Sequence, residues 1–230
     1  MDVKRTIVIA GLLGLGALLT GCGLGGTLKH DKASYDVADK VAGLQVEADA
    51  GTVEVVGSDR QGIHVTESLS WYGERPAASH DVQSDTLTLK FTCPPSLAGS
   101  NCEVSYRVEV PRGLRVKATA DSGKVTLKTL SGDVEAKTDS GAIDASGLTG
   151  KQAVAATDSG DITLVFTGTP DKVTTSTDSG ASVVHVPQGP YNIVTRTDSG
   201  GKKVTATHDP SAPRSISLTS DSGDLKVVTP

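Results

Sequence analysis

Residues 134–145 read Val-Glu-Ala-Lys-Thr-Asp-Ser-Gly-Ala-Ile-Asp-Ala. Val134, Ala136 and Thr138 alternate with Glu135 and Lys137, and the alternation resumes at Ile143 and Ala145 beyond Asp139-Ser140-Gly141. A period of two puts alternate side chains on one face of a strand. Asp, Ser and Gly are turn formers, Asp and Ser through bonds to nearby backbone N–H groups and Gly through its tolerance of positive φ. The stretch therefore reads as strand, tight turn, strand.

The tripeptide Asp-Ser-Gly recurs at Asp121, Asp139, Asp158, Asp178, Asp198 and Asp221, in steps of 18, 19, 20, 20 and 23 residues. Five positions before each Asp stand Val116, Val134, Ala153, Val173, Ile193 and Ile216; three before stand Ala118, Ala136, Ala155, Thr175, Thr195 and Leu218. Thr138, Thr157, Thr177 and Thr197 directly precede the Asp and share this parity, which turns them inward to bond the turn rather than outward as an ice-binding array. Apolar residues return after the Gly, as at Val125 and Leu127, although Val184 and Val204 arrive late and predict bulges in the fourth and fifth copies. A degenerate seventh copy surrounds Asp49-Ala50-Gly51.

A unit of about 20 residues cannot bury its own apolar face, whereas stacked units share a continuous core. The predicted fold is all-β: a single-chain β-solenoid, β-helix-like, of about seven short-strand repeats, with a β-sandwich as the alternative. Composition agrees, since 26 threonines accompany 3% aromatics, a balance that favours strands. The net charge of −5 and the lack of a basic cluster exclude nucleic acid as a partner.

Outward from the repeats, residues 57–113 read as an insertion within a repeat β-domain spanning 36–230. Leu87, Leu89 and Phe91 alternate with polar residues, as do Val104, Tyr106, Val108 and Val110. These segments predict an N-terminal hairpin whose tip is closed by a Cys93–Cys102 disulfide, as an oxidising compartment allows. Trp71-Tyr72 follows the strand-like Ile63, Val65, Glu67 and Leu69, and either caps the solenoid core or contacts a ligand such as a sugar ring.

Residues 1–21 read as a signal peptide: Lys4 and Arg5, then an uncharged stretch over 6–20 too short to span about 30 Å of hydrocarbon comfortably. It ends in Leu19-Thr20-Gly21-Cys22, which resembles the lipobox of bacterial lipoproteins. That resemblance implies cleavage before Cys22 and acylation of Cys22 with fatty chains such as palmitate, followed by a flexible lipidated stalk over 22–35. The expected address is the extracytoplasmic face of a cell membrane, the outer membrane where the cell has one, with membrane lipid as a partner through Cys22.

The repeat columns themselves, Val/Ile-x-Ala-x-Thr-x-Ser-Gly-x-Ile/Val, resemble the adhesin domain of bacterial surface proteins and are similar to the toastrack domains of envelope-stress proteins. The resemblance covers roughly residues 38–229. It implies a β-helix-like fold outside the cytoplasmic membrane, a binding or sensing role toward an envelope protein or glycan, and no catalytic residue to carry over.

Two readings of the Asp-Ser-Gly column stand side by side. Turn chemistry explains the repetition, but stacked like charges are destabilising. Calcium is the alternative, with Asp121, Asp139, Asp158, Asp178, Asp198 and Asp221 as candidate ligands, since it takes several oxygens at about 2.3–2.6 Å. The Gly-Gly-x-Gly-x-Asp motif of calcium-bound β-rolls is absent. The five His are dispersed without zinc spacing, and no nucleophile elbow or P-loop occurs. The expected role is non-enzymatic and cofactor-free: adhesin-like, scaffolding or envelope-sensing, with a polysaccharide-acting enzyme as the remote competitor.

Overall fold

The computed structural model describes residues 27–94 and 102–229. Within them lie twenty strands and no helix. The N-terminal third holds β1 (Lys29–Val37), β2 (Gly43–Ala48), β3 (Val53–Ser58), β4 (Ile63–Trp71), β5 (Ala77–Gln83), β6 (Thr86–Thr92) and β7 (Cys102–Pro111). The repeats supply β8 (Arg115–Ala120), β9 (Val125–Lys128), β10 (Val134–Thr138), β11 (Ile143–Leu148), β12 (Gln152–Ser159), β13 (Ile162–Phe166), β14 (Lys172–Ser179) and β15 (Ser182–His185). The chain ends through β16 (Pro190–Ser199), β17 (Lys202–Val204), β18 (Thr207–His208), β19 (Ser215–Ser222) and β20 (Leu225–Val228).

The strands form two ten-stranded sheets around one apolar core. The first runs β1-β4-β7-β3-β9-β11-β13-β15-β20-β17, the second β18-β16-β19-β14-β12-β10-β8-β2-β6-β5. Each Asp-Ser-Gly copy gives one strand to each sheet, and rungs stack in parallel, in the second sheet with Leu44, Val116, Val134, Ala153 and Val173 level as one inward ladder. This is the solenoid that the repeat predicts, seven rungs long when the copy at Asp49 is included.

Three details differ from the sequence reading. The fourth and fifth copies contain no bulge. Ser182 occupies the position of Ile162, Lys202 that of Leu225, and Val184 and Val204 stay in register. A polar residue had replaced the apolar one, which alternation alone reads as a slip. The register break lies instead between Ala145 and Leu148, around Gly147 at φ 66°.

The segments flanking the disulfide do not pair as a hairpin. β6 joins the second sheet beside β2, and β7 joins the first beside β3. Cys93 and Cys102, bonded with Cα atoms 6.0 Å apart, thus close an arch between sheets. Alternation cannot separate the two cases, because either arrangement buries every second side chain. The hairpin of the insertion is β5–β6, turning at Ser84 and Asp85 with φ of 47° and 61°, a conformation usually signalled by Asn-Gly.

Order also begins earlier than the stalk reading over 22–35 implies. β1 pairs antiparallel with β4 from Lys29 to Val37, and Tyr35 and Val37 turn toward the core.

Candidate functional site

Three features of the described residues carry chemistry, beginning with the Asp-Ser-Gly edge. A Cβ built at Gly123 would run into the carbonyl oxygen of Gly51, one at Gly141 into that of Gly123, and one at Gly160 into that of Gly141. Only hydrogen fits where successive turns touch. Positive φ is not the reason here, since none of these three glycines has it, and close approach replaces it as the explanation.

The threonines point inward. Thr138, Thr157 and Thr177 are buried, and each hydroxyl donates to the glycine carbonyl of the neighbouring rung, to Gly123 at 3.2 Å, Gly141 at 3.1 Å and Gly160 at 3.1 Å. Thr197 does the same to Gly223 at 3.2 Å.

The carboxylates of Asp121, Asp139, Asp158, Asp178, Asp198 and Asp221 take no part in this stapling. They lie exposed on the turn edge. The turn amides that do find a carboxylate use a different column: Ala181 N–H donates to Asp161 at 2.8 Å and Gly201 N–H to Asp224 at 2.9 Å. Among the described residues, no group of three or more His, Cys, Asp or Glu side chains is placed to hold a metal ion.

The second feature is a groove of about 310 Å³ on the outer face of the second sheet, crossing the starts of β6, β2, β8, β10 and β12. Gly43 contributes no side chain to it, which leaves a depression between Thr86 and Arg115. Two of its four charged residues, Lys117 and Glu135, pair with each other. Glu135 sits 2.9 Å from Lys137 and 3.7 Å from Lys117, and the Lys137 hydrogen bond holds its carboxyl below the usual range. Asp133 accepts the Gln152 backbone N–H at 3.1 Å. Arg115, among the described residues, forms no ion pair and stands exposed at the rim. Sequence reading missed this groove because its residues come from five strands and share no motif.

The third feature closes the N-terminal end. Trp71 is only 7% exposed and joins the core, with the Arg75 guanidinium 5.8 Å from its ring centroid and bonded to Asp31 at 2.7 Å. Its neighbour Tyr72 is 41% exposed. Tyr35 stacks on His80 at 4.7 Å, joining the edge strands of the two sheets. Behind them lies Glu67, buried and accepting the Tyr35 hydroxyl at 2.7 Å. The nearby Tyr106 hydroxyl is buried and finds no partner among the described residues. Burial, then the charges of Glu67 and Asp49, raise its phenol. Cys22 lies outside the described residues.

Comparison with known proteins places this geometry. The family model described as Toastrack DUF4097 matches residues 111–228, just over half of the chain. A crystal structure from Bacteroides fragilis NCTC 9343, described as a "putative adhesin", is 14% identical with a TM-score of 0.52. That match covers 90% of this chain and 100% of the other. A structure from Clostridium sporogenes ATCC 15579, described as a "putative cell adhesion protein", is 12% identical over 88% of this chain and 100% of its own, with a TM-score of 0.49. No curated protein matches the chain.

Proposed function

The chain belongs to the Toastrack family, and from that premise we propose that it is a lipid-anchored, non-enzymatic binding module with an adhesin-like role on the extracytoplasmic face of a bacterial membrane. Anchoring rests on Leu19-Thr20-Gly21-Cys22 behind an uncharged segment, since two acyl chains hold a soluble domain where one does not. The adhesin description of the Bacteroides fragilis structure points the same way.

The observation that carries the binding role is Arg115, an exposed guanidinium with no ion pair among the described residues, beside a groove in which Lys117 pairs with Glu135 and Asp133 accepts a backbone N–H. Guanidinium prefers planar anionic partners, which it engages through two parallel hydrogen bonds. The groove thus suits a glycan or protein bearing a carboxylate or a similar anion.

The test is retention of envelope polysaccharide on beads carrying the protein, compared with beads carrying Arg115→Ala/Gln152→Ala. Retention by the parent that falls in the variant and at high salt supports the reading. Equal retention by both contradicts it.

A further inference from the structure

The last Asp-Ser-Gly copy stands out of sequence order. β19 and β20 lie between the rung β14/β15 and the rung β16/β17, although β16 and β17 precede them in the chain. Composition explains which copy goes outermost. The rung at Asp198 carries Lys202 where the rung at Asp221 carries the buried Leu225, although both bury an isoleucine, Ile193 and Ile216, in the second sheet.

The consequence is a slot with two equivalent walls. Ile216 is level with Val173 on one side and Ile193 on the other, and Leu218 with Thr175 and Thr195. Val227 is level with Val184 and Val204 in the first sheet. The turn chemistry repeats as well: Ser220 donates to the Gly180 carbonyl, and Thr197 to that of Gly223. Everything that holds this rung is a neighbour contact that the same rung from another molecule would reproduce.

The chain runs from β17 to β19 by way of β18, which pairs with β16, and the connection 209–214 that leads into β19 is longer than 129–133, 149–151, 167–171 or 186–189, which lead into β10, β12, β14 and β16. Six residues reach about 20 Å when extended, against about 4.8 Å between adjacent strands. Pro210 and Pro213 stiffen this connection. The other repeats from β8 to β15 stack in chain order, so this rung alone among them is inserted between two earlier ones.

We propose that the C-terminal rung is exchangeable between molecules. β19–β20 of a second copy of this chain occupies the slot between β14/β15 and β16/β17, reciprocally, so that two copies become one assembly with no new interface chemistry. The surface on offer is the slot itself, and the partner it fits is the identical segment.

Ser176 and Thr219 are register partners across the slot wall on the outer face. The full chain is produced in two tagged forms, Ser176→Cys and Thr219→Cys, expressed together in an oxidising compartment and resolved without reductant. Each form expressed alone sets the background due to Cys22. A mixed-tag band at twice the monomer mass, yielding a peptide linked from position 176 to position 219 and growing with expression level, is the expected result. The double variant Ser176→Cys/Thr219→Cys in one chain must also close its own bond. Closure in the double variant with no mixed dimer above background overturns the exchange, and failure of the double variant to close overturns the slot.

Discussion

The Thr157 hydroxyl donates to the Gly141 carbonyl, one rung away, at 3.1 Å. The same bond joins Thr138 to Gly123, Thr177 to Gly160 and Thr197 to Gly223, so every stacking step that a Thr-Asp-Ser-Gly copy makes is stapled once at its turn. The staple supplies a donor to a buried carbonyl that the ladder alone leaves short, which explains threonine at a core position where valine would pack as well.

Replacing Thr157 with Val keeps the shape and removes the donor. The variant is expected to lose about 1–3 kcal/mol, the cost of a buried acceptor left unsatisfied, while Thr157→Ser keeps most of the stability. Urea unfolding of the three proteins checks this; equal midpoints for Val and the parent would mean that the hydroxyl contributes nothing.

Gly160→Ala drives a methyl into the Gly141 carbonyl. Backbone cannot step aside as a flexible side chain would, so the expected loss is at least the 1–3 kcal/mol typical of overpacking. Gly113, whose Cβ would meet only Ser131 Oγ at 3.9 Å, is the comparison, and Gly113→Ala should stay within about 0.5 kcal/mol of the parent.

The Tyr106 hydroxyl, buried with no partner among the described residues, predicts that Tyr106→Phe is neutral or stabilising, whereas Tyr35→Phe, which strips Glu67 of its donor, destabilises. The alkaline limb follows from the raised phenol of Tyr106. With the folded value above the unfolded one, the stabilisation is complete below about pH 10, the unfolded range, and is lost as pH rises toward the folded value. Thermal midpoints from pH 8 to 11 should therefore fall less steeply in Tyr106→Phe. An unchanged slope would remove Tyr106 from the account of alkaline unfolding.

At the acid end Glu54 is one of the contributing carboxylates. Hydrogen bonding to Lys128 at 2.7 Å, with Arg107 alongside, lowers its carboxyl. A lowered folded value contributes stability above the unfolded carboxylate range, near pH 4.3, that disappears as pH falls through the folded value. Glu54→Gln should flatten the loss of thermal stability between pH 5 and 3; a slope equal to the parent's would assign acid unfolding to other carboxylates.

Much of this architecture is legible in the columns. Period two, the recurrent Asp-Ser-Gly and the inward parity of Thr138, Thr157 and Thr177 all point to stacked rungs with bonded turns. What the columns hide is spatial order. Nothing local distinguishes the copies at Asp198 and Asp221 as adjacent or interleaved, because register alone is satisfied either way; the decision falls to burial, through Lys202 against Leu225. Cys93 and Cys102 are similarly ambiguous between a hairpin tip and an arch. The groove beside Arg115 is less legible still, since Thr86, Gln45, Lys117, Glu135 and Gln152 become neighbours only across five parallel or near-parallel strand starts.

Lipid anchoring through Cys22 is what would turn a binding domain into an adhesin-like one, and the intact mass of the mature protein from the detergent phase of membranes tests it most directly. The expected species begins at Cys22 and carries a diacylglyceryl group, with Cys22→Ser leaving the membrane fraction. A mature chain that begins elsewhere or carries no lipid, and partitions into the aqueous phase as Cys22→Ser does, would contradict it.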